Sequence, residues 1–414
     1  MNNRNDRVEV RIDDLIAAHR PGWTLERAFY NDPEIYEVEL EKIFVQGWLY
    51  AGHVSRIPGR GDFFLWEVAG ESLIIVRGDN EQVHAFLNIC RHRGTRVCQE
   101  PSGRAKSFVC SYHQWTYNID GTLQSARLMP ADFDKSQFGL RRAHVRVAEG
   151  LIFISLAQDP PDLEPALRDI KLHLEPYELA QAKICHTQEY DIKANWKIVT
   201  ENFRECYHCA GNHPALCRLM PHIALTSPKQ IEEFQRSVAS AQTRWEKMGL
   251  ATRNVPMSAK GYHVMRFAFK EGILTQTMDG QPTAPLLGRL TGTEAGQLAV
   301  SVSPNFWIEV SCDYAASWRL TPDGLDRTKV RADWAVRSDA VQGVDYDPDR
   351  VSAFWRVTLG EDWGLCEKNQ AGVSCRGYQP GPYAPGVDGK STLGESGPQF
   401  FTEWYLRQLT RQRS

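Results

Sequence analysis

The chain has 414 residues, 42% of them apolar and 24% charged, and a formal net charge of −3. This length exceeds what one hydrophobic core usually organises and predicts two domains. The charge balance lacks the basic excess of a nucleic-acid-binding protein, and no apolar run approaches the roughly 20 residues that span a bilayer, so we expect neither nucleic acid nor a membrane as a partner.

The N-terminal segment is polar and then helical. It lacks the apolar core of a secretory signal, which predicts a cytoplasmic protein. Helical spacing covers residues 25–30 and 33–44, with Asp32 as an N-cap and Pro33 at the first helical position.

Short β-rich runs separated by Gly- and Asp-containing turns follow from residue 47 onward. The runs cover residues 48–51, 62–68, 72–77, 83–88, 107–110, 115–118 and 151–156. We therefore predict an all-β domain over residues 45–157.

The proline pair Pro160-Pro161 marks the end of this domain, because it continues neither a strand nor a helix. Beyond it, helical patterns at 167–174, 196–209, 351–369 and 400–409 are mixed with successive strand patterns at 297–302, 306–312, 315–321 and 329–336. We predict an α+β fold, in which residues 1–44 and 158–414 form the second domain and 377–394 an irregular loop.

Two pairs of cysteine and histidine lie in the β-rich segment, Cys90 with His92 and Cys110 with His113. A structural zinc site is one alternative, but a zinc finger more usually groups two cysteines at one end and two histidines at the other. One Cys and one His from each of two loops match a Rieske 2Fe–2S centre, where two thiolates hold one iron and two imidazoles the other. We expect the Tyr112 hydroxyl and backbone amides to hydrogen-bond its sulfur atoms.

A second constellation contains Glu205, His208 and His213. On a helix, Glu205 and His208 share one face, and Pro214 biases His213 away from the α region so that it turns back toward His208. Two histidines and one carboxylate are the ligands of non-heme Fe(II) oxygenases.

The third metal ligand is sought elsewhere in the chain. A predicted helix over residues 360–370 carries three carboxylates, Glu361, Asp362 and Glu367. The residues alone do not choose among them.

Four motifs together resemble the catalytic (α) subunits of Rieske non-heme iron oxygenases: Cys-x-His-Arg-Gly, Cys-x-Tyr-His-x-Trp, Asn-Trp-Lys and Glu-x-x-His-x4-His-Pro. The match runs from about Phe29 to the C-terminal helix. The resemblance implies a Rieske domain plus a helix-grip catalytic domain with a curved antiparallel sheet. It also implies His208, His213 and Asp362 as the iron ligands, with Glu361 as the main competitor of Asp362.

The same resemblance implies a homotrimer, in which Glu205 bridges the iron site of one subunit to the cluster of its neighbour. The chain has no flavin or nicotinamide fingerprint. Electrons are therefore expected from NAD(P)H through a separate flavin/iron–sulfur reductase.

Within the family, the chain is similar to monooxygenases that act on quaternary ammonium compounds, such as glycine betaine and stachydrine demethylases. Glu-Asn-x-Arg-Glu-Cys-Tyr-His-Cys at 201–209 and Asn-Gln-x-Gly at 369–372 carry this similarity, whereas residues 303–309 depart from it. It implies O₂-dependent hydroxylation of an N-methyl group, with release of formaldehyde. The alternatives are an aromatic-ring-hydroxylating dioxygenase and a non-catalytic metal-binding module. Aromatic residues of the second domain are candidates for cation–π contact with the substrate: Tyr262, Phe267, Phe269, Phe306, Trp307 and Tyr314.

Overall fold

A computed structural model describes residues 2–223, 225, 227–386 and 394–410 of the chain. It contains two compact units, one formed by residues 44–161 and the other by residues 1–43 with 162–414. Part of the predicted loop over 377–394 lies outside the described residues. Among the helices that are described, none has the length and apolar character needed to cross a membrane.

The unit of residues 44–161 is built from short antiparallel strands. Its strands are β1 (Leu49–His53), β2 (Asp62–Val68), β3 (Glu71–Arg77), β4 (Val83–Leu87), β5 (Ser102–Arg104), β6 (Ser107–Val109), β7 (Thr116–Asn118), β8 (Leu123–Ser125), β9 (His144–Ala148) and β10 (Leu151–Ser155). They form three open sheets in the orders β1-β10-β9, β4-β3-β2-β5 and β6-β7-β8. The sequence patterns did not predict β5, β8 and β9, because all three are largely exposed and lack apolar alternation.

The core of this unit holds two loops in place. Strand β3 is buried from Ser72 to the end of the strand, as expected for the inner strand of its sheet. Aromatic side chains from four strands and one loop form part of the core of this unit: Phe63, Phe86, Phe108, Trp115 and Tyr117. One loop follows β4 and carries Cys90, and the other joins β6 to β7 and carries Cys110.

The second unit combines ten helices of the described chain with one six-stranded sheet. The helices are α1 (Asn2–Ala18), α2 (Arg27–Asn31), α3 (Pro33–Glu39), α4 (Glu164–Leu174), α5 (Trp196–Asn202), α6 (Cys209–Asn212), α7 (Pro214–Leu219), α8 (Pro228–Lys247), α9 (Pro348–Ser374) and α10 (Ser396–Thr410). The strands are β11 (Ala182–Ile192), β12 (Tyr262–Phe267), β13 (Gln297–Val302), β14 (Phe306–Val310), β15 (Ala315–Pro322) and β16 (Thr328–Arg337).

All neighbouring strands of this sheet are antiparallel, in the order β11-β16-β15-β14-β13-β12. The long helix α9 packs against β11 and α5. The predicted α+β class is confirmed, and so are the four successive strands β13 to β16. Helices α1 and α8 and strands β11 and β12 were not predicted.

The prediction of one helix over 196–209 is wrong. Helix α5 ends at Asn202, and Glu205 lies in an irregular turn before α6. The Glu205 carboxylate accepts hydrogen bonds from the backbone N–H groups of Tyr207 and His208, which satisfies donors at the start of the next helix. Glu205 and His208 therefore meet through a capped turn and not through a shared helical face.

Helix α3 begins as the sequence predicts. Asp32 accepts hydrogen bonds from the backbone N–H groups of Glu34 and Ile35, at 2.9 and 3.4 Å, and Pro33 opens the helix. The α-helix stops at Glu39, where the backbone continues as a π-helical turn over Leu40–Val45.

Glu39 joins three distant helices of this unit. Its carboxylate accepts hydrogen bonds from Lys197 Nζ at 2.7 and 2.9 Å, from Trp196 Nε1 at 2.8 Å and from Tyr405 Oη at 2.5 Å. The Glu39 and Lys197 side chains are both 0% exposed. Because every oxygen has a donor, the buried charge of Glu39 is compensated.

Removing Lys197 should destabilise the fold strongly. Lys197→Met leaves the Glu39 carboxylate buried without a counter-ion, and we expect the free energy of unfolding to fall by about 3–5 kcal/mol in urea denaturation. The matched control is Arg236→Met, which breaks an i,i+4 pair with Glu232 whose two side chains are each 67% exposed. This control should change stability by less than about 0.5 kcal/mol. Equal effects of the two substitutions would contradict the prediction.

Candidate functional site

The two cysteine loops of the β-rich unit have the same backbone design. In the first loop, the N–H of Cys90 donates to the carbonyl of Thr95 at 2.9 Å, and the N–H of Gly94 donates to the carbonyl of Cys90 at 3.0 Å. The second loop repeats both hydrogen bonds at the same spacing from Cys110. Gly94 and its counterpart Gln114 both have positive φ, 81° and 59°. The sequence thus folds into a pair of equivalent loops.

The cysteine side chains of these loops are buried, whereas the histidine side chains lie nearer the surface. Cys90 and Cys110 are buried at 3% and 1% exposure and form no disulfide. The rings of His92 and His113 lie 4.6 Å apart between centroids, nearer the surface, and His92 stacks on Trp115 at 4.8 Å. Two inner thiols and two outer imidazoles fit a cluster with one thiolate-bound and one imidazole-bound iron.

The hydroxyl that contacts a cysteine sulfur belongs to Tyr117. Its Oη lies 3.3 Å from Cys90 Sγ and accepts a hydrogen bond from the Arg91 N–H at 3.0 Å. Tyr112, which the sequence suggested for this contact, is 55% exposed and lies against the His113 ring. Tyr117 was overlooked because it comes from β7, outside either cysteine motif.

The second unit brings together three ligand-type atoms. His208 Nε2 is 3.0 Å from His213 Nε2 and 3.2 Å from Asp362 Oδ1, and His213 Nε2 is 3.0 Å from the same oxygen. Ligands about 2.1 Å from one metal ion and at right angles to each other are about 3.0 Å apart. The triangle therefore fits one face of an octahedral ion, with two imidazoles and one carboxylate.

Each histidine of this triangle is held by a further carboxylate. His208 Nδ1 contacts Glu205 Oε1, and His213 Nδ1 lies 2.8 Å from Glu361 Oε2. Such contacts fix the tautomer and orientation of a metal-binding imidazole. Burial lowers the pKa of His208, but Asp362 and Glu205 outweigh burial and raise this pKa to about 10.

The geometry distinguishes among the three carboxylates that the sequence left as candidates for the third metal ligand. Asp362 Oδ1 contacts both Nε2 atoms, whereas Glu361 lies at the opposite nitrogen of the His213 ring. Glu367 accepts a hydrogen bond from the backbone N–H of Lys193 at 3.2 Å. Asp362 and Glu361 are neighbours on α9 and so point to different sides of the histidine.

Cys209 is the other potential ligand near the histidines. Its Sγ lies 4.0 Å from His208 Nε2 and is close enough to the ring nitrogens of both histidines for one metal ion to contact all three residues. Asp362 Oδ1 lies closer, at 3.2 Å from His208 Nε2 and 3.0 Å from His213 Nε2, so Asp362 is the better third donor.

A cavity of about 130 Å³ opens beside this triangle and is lined in part by one face of the sheet. Side chains at alternate positions of three neighbouring strands point into it: His263, Met265, Gln297, Ala299, Trp307 and Glu309. Phe203 and Trp355 complete an aromatic wall, together with Phe267. Of the six aromatic candidates from the sequence, Phe267 and Trp307 line this cavity.

Two ionisable groups of the cavity wall were not identified as site residues from the sequence. Arg204 is 6% exposed, and burial lowers its pKa to about 10. Glu309 is 5% exposed, and burial raises its pKa to about 8. His263 is neutral, because burial and the nearby Arg204 lower its pKa to about 3. The alternation of Trp307 and Glu309 on β14 is the one sequence signal that points to this wall.

Comparisons with known proteins match one family model to each of the two units. The family model "Rieske [2Fe-2S] domain" matches residues 47–140, and "Ring hydroxylating alpha subunit (catalytic domain)" matches residues 179–411. The glycine betaine monooxygenase oxygenase subunit of Chromohalobacter salexigens is 37% identical over 399 residues, which cover 95% of this chain and 87% of that protein.

Two kinds of solved structure share the fold. The quaternary ammonium Rieske monooxygenase CntA has a TM-score of 0.73 at 21% identity, covering 96% of this chain and 98% of that chain. Naphthalene 1,2-dioxygenase from Rhodococcus has a TM-score of 0.72 at 20% identity, covering 97% and 98%. The fold alone thus does not separate these activities. The family match over most of the second unit, and the relative that is similar over nearly the whole chain, show that this protein is an oxidoreductase of the Rieske-type ring-hydroxylating oxygenase α-subunit family.

Proposed function

We propose that this chain is the oxygenase component of an O₂-dependent monooxygenase that hydroxylates an N-methyl group of a betaine-like quaternary ammonium substrate. The observation that carries the proposal is the aromatic wall formed by Trp307, Phe267 and Phe203 in the cavity that also contains His208. A quaternary ammonium has no N–H to donate and is bound by aromatic faces. The glycine betaine monooxygenase subunit that is 37% identical supports this substrate class.

The proposal assigns a role to each site residue. Fe(II) is held by His208, His213 and Asp362, and the 2Fe–2S cluster is held by Cys90, His92, Cys110 and His113. Residues 45–157 form the cluster domain, and residues 1–44 with 158–414 form the iron domain. Iron bound at the histidine–aspartate triangle supplies the reductive activation of O₂.

The chain's own residues orient the reactants. Glu205 and Glu361 fix the two imidazoles, and the aromatic wall holds the ammonium with a methyl group toward the triangle. Hydroxylation consumes one O₂, two electrons and two protons, places one oxygen atom in an N–CH₂OH group and releases the other as water. The O–H of this N–CH₂OH group loses a proton and the C–N bond breaks with the electron pair on nitrogen, so that formaldehyde and the demethylated amine are released. This collapse needs no acid from the protein.

The proposal includes partners outside the chain. Electrons come from NAD(P)H through a separate flavin/iron–sulfur reductase, and three copies of the chain form a homotrimer in the cytoplasm. Glu205 then links His208 of its own subunit to a cluster histidine of the neighbour. Its contact with His208 Nδ1 supports this position.

Formaldehyde release tests the proposed function. With a reductase supplied, a panel of N-methylated betaines should give formaldehyde and the demethylated amine in equal amounts, measured by colorimetry and mass spectrometry. Aromatic substrates should give no cis-diol. Formation of a cis-diol without formaldehyde would instead indicate a ring-hydroxylating dioxygenase, and a purified protein without cluster absorbance would indicate a non-catalytic module.

Adjacent carboxylates on α9 should differ in their effect on iron. Asp362→Ala removes a proposed ligand, and we expect the mononuclear iron to be lost while the visible absorbance of the cluster is kept. Glu361→Ala removes only the partner of His213 Nδ1 and should weaken iron binding about 10–100-fold. Iron titration followed by elemental analysis measures both. Loss of all iron in Glu361→Ala with full retention in Asp362→Ala would reverse the assignment.

Glu205→Gln should slow electron delivery without removing either metal. The glutamine oxygen still accepts hydrogen bonds from the backbone, but its uncharged amide no longer holds the imidazole N–H as a carboxylate does. We expect reoxidation of the reduced cluster by O₂ and substrate to slow by about 10–100-fold in stopped-flow absorbance. Glu361→Gln, which alters the other histidine, is the control at matched iron occupancy. Unchanged reoxidation in Glu205→Gln would exclude the bridging role.

A further inference from the structure

The cavity wall carries a buried cation that lacks a counter-ion. Arg204 donates from Nη2 to Ser303 Oγ at 2.8 Å, and its Nε has no hydrogen-bond partner. Within the part of the chain that the structure describes, no carboxylate forms an ion pair with this guanidinium. Its other neighbours are aromatic, with Cζ 5.5 Å from the Trp307 ring centroid and 5.4 Å from that of Phe401.

The same wall carries a buried carboxyl group that also lacks a counter-ion. Glu309 accepts a hydrogen bond from Trp307 Nε1 at 2.9 Å and another from the side-chain amide of Gln297. Among the residues described, no lysine or arginine forms an ion pair with it. Both of its protein donors are neutral, so the protein supplies no cation that would balance the ionised form of Glu309.

Buried charges are normally paired, because an uncompensated charge in a low-dielectric interior costs stability. In the same unit, the buried side chains of Glu39 and Lys197 form such an ion pair. Arg204 and Glu309 are not paired in this way, although both line one cavity. The negative end of a zwitterionic ligand would balance Arg204, and its positive end would favour the ionised form of Glu309.

Trp307 connects the two groups. Its indole N–H bonds Glu309, and its ring lies next to the Arg204 guanidinium. A cation on this ring therefore lies close to Glu309, and an attached anion is within reach of Arg204. We infer that the cavity selects a zwitterion, with Arg204 binding the substrate's carboxylate and Glu309 facing its quaternary ammonium against Trp307. This inference rests on the proposed function and narrows its substrate to betaines that carry a carboxylate.

Three probes of similar shape test the inference by isothermal titration of the purified full-length protein. Glycine betaine has both charges, choline lacks the carboxylate, and 3,3-dimethylbutyrate has a neutral tert-butyl group in place of the ammonium. The wild-type protein should bind glycine betaine at least about tenfold more tightly than either analogue, because each analogue lacks the charge that would interact with Arg204 or with Glu309.

Two variants, each of which removes one ionisable side chain, should weaken the binding of different probes. Glu309→Gln should weaken binding of glycine betaine at least about tenfold and leave 3,3-dimethylbutyrate within about twofold. Arg204→Met should weaken glycine betaine similarly and leave choline unchanged, and Arg204→Lys should recover part of the lost affinity. Unliganded melting temperature and cluster absorbance verify that each variant is folded.

Several results would overturn the inference. A wild-type protein that binds an analogue as tightly as glycine betaine, or variants that weaken all three probes equally, would show that Arg204 and Glu309 act only in packing. The formaldehyde assay separates this failure from that of the proposed function. Demethylation of choline as readily as of betaines refutes the zwitterion site alone, whereas no formaldehyde from any N-methyl compound refutes the demethylase itself.

Discussion

The meeting of two histidines and one aspartate at 3.0–3.2 Å is the constraint on which the catalytic unit depends. His208 and His213 come from the short segment around α6, and Asp362 comes from α9, about 150 residues later in the chain. Residues so far apart in the sequence meet because α9 packs against α5 and β11. The sheet, the helix and the turn after α5 are thus required together to form one set of three donors.

Buried ionisable side chains have different partners in the core and in the cavity. In the core, Glu39 is surrounded by donors from α5 and α10 and fixes the positions of three helices. In the cavity, Arg204 and Glu309 are held by neutral partners and have no counter-ion among the described residues. The cavity wall therefore has two ionisable groups at different positions, which is a physical basis for substrate orientation.

The fold is shared with enzymes of different chemistry, since CntA and naphthalene 1,2-dioxygenase superimpose almost equally well on the chain. Selectivity must then arise from side chains on a common backbone. Strand β14 illustrates this, because Trp307 and Glu309 alternate into the cavity while Phe306 and Ile308 face the other side. Residues 303–309, which depart from the betaine-demethylase pattern, include this strand.

The sequence by itself determined the family, the α+β class and the residues with metal-binding chemistry, because these depend on local spacing and residue type. Two Cys–His pairs, the Glu-x-x-His-x4-His-Pro motif and the patterns of β13 to β16 are short-range signals. The predicted helix over 196–209 failed because a capped turn, fixed by the Glu205 side chain, replaced helical hydrogen bonds after Asn202.

The tertiary structure alone decided how Asp362 and Glu361 differ, since spacing on α9 does not reveal which side of His213 each one meets. It also decided that Tyr117 contacts Cys90, and that Arg204 and Glu309 share a cavity wall. These contacts join residues that are far apart in the chain. They depend on strand register and helix packing, which local patterns do not encode.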